Sequence, residues 1–430
     1  MLYENNWNSL NARSVPAWFE DAKFGIFIHW GLYSVPAYGK RDDYAEWYGW
    51  SMLQNDKPDT TNFHNRVYGP QSRYADFVKD FRAELFDAEE WTDIFRRAGA
   101  KYINLVSKHH DGFCMYKTNY AWNWNSVDVG PHRDFCGELS KAMENSGVRF
   151  GVYHSVYEWF HPLYLENPER YATEHLIPML KELMEQYHPS TLFTDGEWAH
   201  PSSTWHSTEF LQWLYNESSV RDFIVPNDRW GSETRGHLGG NLTTEYGTVD
   251  GVHKLTDLGG KPFEECRGIG HSFGLNRAER AEDYLTGEKL VEMLCDLVSK
   301  GGNLLLNVGP SADGKIPPIM EDRLMEIGKW LEVNGEAIYG SRKFTDNEED
   351  GVWYTRRGDT IYALLRGFPF GDKTLKNVPF DPAWKATLLC DPDQTPVTLD
   401  RDGDSLRLRF APMNPDRLTC KYVYAVRLEK

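Results

Sequence analysis

No stretch of this 430-residue chain approaches the ~20 consecutive apolar residues of a membrane span. The first twenty residues include Glu4, Arg13 and Glu20, with no apolar run of signal-peptide length. Basic residues are in deficit: 47 Lys and Arg face 64 Asp and Glu, a net charge of −17. Nucleic acids and anionic membranes reward clustered Lys and Arg, so neither is expected as a partner. The six cysteines (Cys114, Cys136, Cys266, Cys295, Cys390 and Cys420) show no CxxC or CxH spacing. They read as mostly buried free thiols, without a zinc site or disulfide framework. Internal repeats and low-complexity segments are also missing. Together these absences predict a soluble protein, cytoplasmic unless a leader has been removed, in which case secreted or lysosome-like.

Aromatic residues are plentiful, with 16 Trp, 23 Tyr and 22 Phe. They supply core volume and flat apolar faces against which sugar C–H groups pack. Six apolar runs each end in polar, reactive side chains. Phe24–Ile28 ends at His29, Tyr102–Lys108 at His109 and His110, and Val148–Val152 at Tyr153 and His154. Leu192–Thr194 ends at Asp195, Phe223–Pro226 at Asn227 to Arg229, and Leu304–Leu306 at Asn307. Helical patterns lie between most of them. Asp87 with Glu90 is a capping-box pattern, and Asn167 before Pro168 opens a helix to about Tyr187 that Pro178 is placed to kink. Converging strand ends of this kind define an α/β (β/α)8-like barrel with its site at the C-terminal face. After about Phe344 short strand-like runs separated by Gly, Asp and Pro predict an antiparallel β-sandwich of roughly 85 residues. The expected division is barrel 1–343 and sandwich 344–430, with the Asp346–Asp350 acidic cluster as a linker or loop.

Four clusters could carry chemistry. Asp195, in Thr194-Asp-Gly-Glu-Trp198, is placed either to meet a substrate or to cap the following helix; Glu197 competes with it. His109, His110 and Asp111 invite a metal reading, but neighbouring strand residues face opposite ways, and donors to substrate hydroxyls are the preferred reading. Arg229 suits orienting a carboxylate or forming an ordinary salt bridge. Glu245, beside Tyr246 in a loop-like Gly-rich segment, is by pattern alone a solvated side chain.

Taken together the motifs resemble the α-L-fucosidase family, family 29 of the glycoside hydrolases. They include Phe24-Gly-Ile-Phe-Ile-His-Trp-Gly31, Glu46-Trp-Tyr48, Lys108-His-His-Asp-Gly-Phe113, Thr194-Asp-Gly-Glu-Trp198, Asn227-Asp-Arg-Trp-Gly231 and Gly301-Gly-Asn-Leu-Leu-Leu-Asn-Val-Gly-Pro310. The resemblance spans roughly residues 5–340. It implies a retaining exo-glycosidase that removes terminal α-L-fucose from oligosaccharides or glycoconjugates, with no cofactor and no metal. Asp195 matches the family's nucleophile, and Glu245 its acid/base in one branch, with Glu264 and Glu265 as rivals. His29, Glu46, Trp47, His109, His110, Tyr153, Arg229 and Phe273 match positions that grip fucose or shape its pocket. Phe193 stands where relatives often have Trp. Trp198, Phe193 and Phe273 are candidates for the wall against the sugar's methyl group. The competing readings are a glycosidase for another sugar configured like L-fucose, a non-catalytic fucose-binding lectin, and a metal-dependent hydrolase. A homo-oligomer is also expected, on the ground that Trp384 and other aromatics of the C-terminal module are exposed.

Overall fold

The computed structural model describes residues 2–54, 57–248, 261–347 and 349–430. Eight parallel strands form one curled sheet in the order β5-β4-β3-β2-β1-β8-β7-β6. They are β1 (Phe24–Ile28), β2 (Tyr102–Lys108), β3 (Val152–Ser155), β4 (Thr191–Asp195), β5 (Val225–Pro226), β6 (Leu242–Glu245), β7 (Phe263–Gly268) and β8 (Gly302–Val308). Among the described residues a single parallel bridge, Asn227 to Asn241, joins the two edges. Two strands depart from the sequence reading. Glu245 does not sit in a loop but ends β6, and β7 carries Glu264, Glu265 and Arg267. Both escape a search for apolar runs because their polar side chains are satisfied inside the protein. Thr243 donates to Asp228 and Thr244 to Glu265, at 2.6 and 2.5 Å.

The helices follow their caps. Asp87 accepts from the backbone N–H groups of Glu89 and Glu90 and starts helix Ala88–Arg97. Asn167 caps the next long segment as expected, but Pro178 leaves a different mark. Residues Ala172–Leu176 widen into a π-turn before the regular helix Ile177–Tyr187. A proline near the helix start has no N–H to donate, and such local widening accommodates the loss.

The core is layered. Phe24, Ile26 and Ile28 pack outward against the helices, while Phe27, Tyr153, Phe193, Phe273 and Leu305 fill the barrel interior. Gly25 makes room for this filling, since a Cβ there would stand 2.5 Å from the Tyr102 ring. The C-terminal part is two antiparallel sheets. A five-stranded one runs β13-β16-β11-β10-β9, namely Lys385–Leu388, Val423–Glu429, Thr360–Arg366, Val352–Arg357 and Arg342–Lys343; a three-stranded one runs β12-β15-β14, namely Gly371–Pro379, Ser405–Phe410 and Val397–Asp402. Of the acidic cluster 346–350, Glu348 lies outside the described residues. Trp384 is buried, not exposed: its Nε1 donates to the Pro379 carbonyl and Lys430 lies over its ring. All six cysteines are buried and unpaired. Among the described residues no helix is long and apolar enough to cross a membrane.

Candidate active site

At the C-terminal ends of the strands lies a cavity of about 370 Å³. All eleven site residues expected from sequence line it: His29, Glu46, Trp47, His109, His110, Tyr153, Asp195, Trp198, Arg229, Glu245 and Phe273. The Asn-Asp-Arg motif explains how the centre is built. Asn227 ties the end of β5 to β4, its Oδ1 accepting from the N–H and hydroxyl of Thr194 at 3.1 and 2.7 Å. The Thr194 hydroxyl lies at the same 2.7 Å from the Arg229 carbonyl, its one proton shared between the two acceptors. Asp228 turns away to Thr243 and Gly236, which leaves Arg229 pointing into the barrel. Its Nη1 donates to Asp195 Oδ1 at 2.6 Å and its Nη2 to Glu245 Oε2 at 3.2 Å. One planar guanidinium therefore grips both carboxylates.

Burial by itself would push the Asp195 carboxyl up. The positive charges of Arg229 and Arg235 more than offset it and hold the group well below the usual carboxylate range. The other oxygen, Oδ2, accepts from the Tyr153 hydroxyl at 3.1 Å. Asp195 is 14% and Glu245 28% exposed at the side chain, so Glu245 has the readier access to water.

The histidines are neutral. Desolvation lowers His29 to about 3 and His110 to about 4, and drives His109 well below its ordinary value. Second partners fix the first two rings. Asn307 spends its amide N–H on the Phe273 carbonyl, so its Oδ1 accepts from His29 Nδ1 at 2.7 Å. Ser155 donates to the Tyr157 carbonyl, so its Oγ accepts from His110 Nδ1 at 2.5 Å. In both rings Nε2 is left for a ligand. His109 and His110 both face the cavity, contrary to strand alternation, because β2 ends at Lys108 and the pair lies beyond the pleat. Asp111 is drawn off to the Tyr74 hydroxyl and the Phe113 N–H, so the three do not converge as metal ligands.

Glu46 is buried, and desolvation raises it to about 7 against the opposing pull of the Gly274 N–H and Ser272 hydroxyl. Trp47 and Trp198 stand near-parallel at the rim, 6.4 Å between ring centroids, with Trp198 43% exposed. Neither Glu264 nor Glu265 lines the cavity. Glu264 accepts from the Tyr102 hydroxyl at 2.5 Å, and Glu265 from Thr244 and the Gly247 N–H. The sequence reading missed Phe27, Tyr44, Thr248, Cys266 and above all Arg235 as lining residues. The signal for Arg235 was indirect. Two carboxylates two residues apart, Asp195 and Glu197, need more than one cation when buried together.

A barrel that presents an ionised carboxylate, a second and more accessible carboxylate, and neutral imidazoles to one aromatic-walled cavity is the working arrangement of a glycoside hydrolase. The family described as Alpha-L-fucosidase matches residues 1–336, and the chain belongs to that family. An alpha-L-fucosidase of Branchiostoma floridae is 40% identical over 441 residues, covering 99% of this chain and 96% of that protein. Human tissue alpha-L-fucosidase is 43% identical over 377 residues, covering 85% and 79%. A solved structure of Thermotoga maritima alpha-fucosidase with a mechanism-based inhibitor superposes with a TM-score of 0.85 at 36% identity, covering 99% of each chain.

Proposed function

We propose that the protein hydrolyses terminal α-L-fucosyl bonds of oligosaccharides or glycoconjugates with retention of anomeric configuration. Asp195 is the nucleophile and Glu245 the acid/base. The observation that carries this reading is the grip of one guanidinium, Arg229, on both carboxylates. It supports a short separation, near the ~5–5.5 Å of retaining pairs and below the ~6.5–9.5 Å that leaves room for water in inverting ones. Asp195 Oδ2 attacks the anomeric carbon while Glu245 gives its proton to the departing glycosidic oxygen, which leaves as an alcohol. Glu245 then takes a proton from water, the water oxygen bonds to the anomeric carbon, and the bond to Asp195 breaks. Both steps pass through an oxocarbenium-like state. The exposure of Glu245 supports its part in admitting that water.

The neutral His29, His109 and His110, with Glu46, Trp47 and Tyr153, bind the sugar hydroxyls. Phe273, enclosed by Phe27, Tyr44 and Tyr246, is the best-supported wall for the methyl group, because Arg229 already covers the Phe193 ring at 4.8 Å. Trp198, at the rim, is better placed for the leaving group. The test is NMR of the anomeric protons during early hydrolysis of 4-nitrophenyl α-L-fucoside. α-L-Fucose appearing first is expected; β-L-fucose first would overturn retention and the two-carboxylate assignment. Bound fucose without turnover would favour a lectin.

A further inference from the structure

Arg235 takes no part in the two-carboxylate scheme, yet it reaches the same oxygen as Arg229. Its Nη2 lies 3.2 Å from Asp195 Oδ1, and its Nε lies 2.5 Å from Oε1 of the buried Glu197. The Trp198 ring lies 5.7 Å from the guanidinium carbon. One arginine already pairs Asp195. Burying a second beside it adds a desolvation cost and repulsion between the two guanidiniums, which Glu197 offsets. Glu197 accounts for the charge of Arg235, but not for its reach to the Asp195 oxygen that Arg229 already holds.

We propose that Arg235, clamped by Glu197, is a positioning residue that hastens the second half of the reaction by stabilising Asp195 as the departing carboxylate. This rests on the fucosyl–Asp195 ester of the proposed function. In the free enzyme Asp195 carries a full charge, and in the ester none. During attack the carboxylate gives up charge as its Oδ2 bonds to the anomeric carbon, so a cation at Oδ1 favours the starting state over the transition state. During breakdown water donates its proton to Glu245, its oxygen bonds to the anomeric carbon, and the electron pair of the breaking bond returns to Asp195. A cation at Oδ1 is then held more tightly in the transition state than in the ester, which is the condition for acceleration. Arg229 cannot serve this purpose alone, since it also holds Glu245. Arg235 touches Asp195 and Glu197 without touching Glu245, and so can bias one step against the other.

The test traps the enzyme with 2-fluoro-fucosyl fluoride, removes excess reagent and follows the return of activity in water. It is run on the wild type, Arg235→Gln, Arg235→Lys and Glu197→Gln. Reactivation of Arg235→Gln should slow roughly 10- to 100-fold, the range of one lost charge-assisted hydrogen bond. Arg235→Lys should recover much of the loss, and Glu197→Gln should move the same way by less. With 4-nitrophenyl α-L-fucoside the Gln variant should show a nitrophenolate burst, with kcat and KM falling together so that kcat/KM changes far less than kcat. Equal loss of kcat/KM and of reactivation, or unchanged reactivation, would overturn the inference and leave Arg235 a structural residue. A wild-type enzyme that forms no adduct would instead sink the two-step reading itself, and this inference with it.

Discussion

Behind the end of β2, Lys108 is fully buried and donates to Glu158 Oε2 and to the Tyr171 hydroxyl at 2.8 and 3.0 Å, while that hydroxyl donates to the same carboxylate oxygen at 2.8 Å. In front of it, two arginines, Tyr153 and the neutral His110 surround Asp195. The ingredients are nearly the same: a buried carboxylate, a cation, a tyrosine and a histidine, which beside Glu158 is His175, its Nε2 3.5 Å from Oε2. In both clusters opposing cations outweigh the desolvation that would raise the carboxyl, and hold it low. The difference lies in closure. Glu158 Oε2 has both its donors, Lys108 and Tyr171, supplied by the protein, and the side chain is 7% exposed. Among the described residues Asp195 Oδ2 has a single hydrogen bond, from Tyr153, and opens on a cavity. A buried ion cluster becomes reactive by being left incomplete on the side a ligand can reach, not by its residue types.

The largest expected effect breaks the open cluster. Asp195→Gly should abolish turnover of every fucoside, and retained hydrolysis of 4-nitrophenyl α-L-fucoside would refute its role. Glu245→Gln should cost roughly 10²–10⁴-fold in kcat/KM for poor leaving groups but much less for a fluoride. A uniform loss across leaving groups would remove Glu245 from acid/base duty. Breaking the closed cluster should show in stability instead. Lys108→Met strands a buried carboxylate, at a cost of about 3–5 kcal/mol in urea unfolding. Turnover of the folded fraction should change little, and a loss of activity without a loss of stability would refute the division between the clusters.

The smallest effect concerns a carboxyl that neither cluster ionises. Burial raises Glu264 to about 7, against about 4.3 in the unfolded chain. Between those values the folded state keeps a proton that the unfolded state has released. Its contribution to stability is therefore complete below about pH 4.3 and declines as pH rises towards 7. Glu264→Gln should remove up to about 3 kcal/mol of that decline, read as a flatter urea-unfolding free energy between pH 5 and 8. An unchanged slope would mean that Glu264 is ionised in the folded protein. Asp195 contributes with the opposite sign, losing its stabilisation on acidification.

Much of the fold was legible because six strands are apolar and end in reactive residues. The two that were not, β6 and β7, are polar strands whose side chains bond across to each other and to Asp228, so hydrophobic pattern cannot find them. β12 and β14 escaped for a related reason: residues such as Asp372, Lys376 and Arg401 leave these edge strands of the small sheet half wet. The opposite error came from Trp384, an aromatic in a turn-rich stretch that the sheets nonetheless enclose.

The chain by itself determined which residue types meet at the site, because short motifs carried Asp195, Arg229 and the histidine pair to strand ends and a parallel barrel gathers strand ends together. Charge state and role were decided only in three dimensions. Glu197, Glu245, Glu264 and Glu265 are the same residue in sequence. Burial against Arg235, a shared guanidinium, a tyrosine hydroxyl and a threonine hydroxyl give them four different environments. Burial and the distance to a cation set the behaviour of a carboxyl, and both are properties of packing.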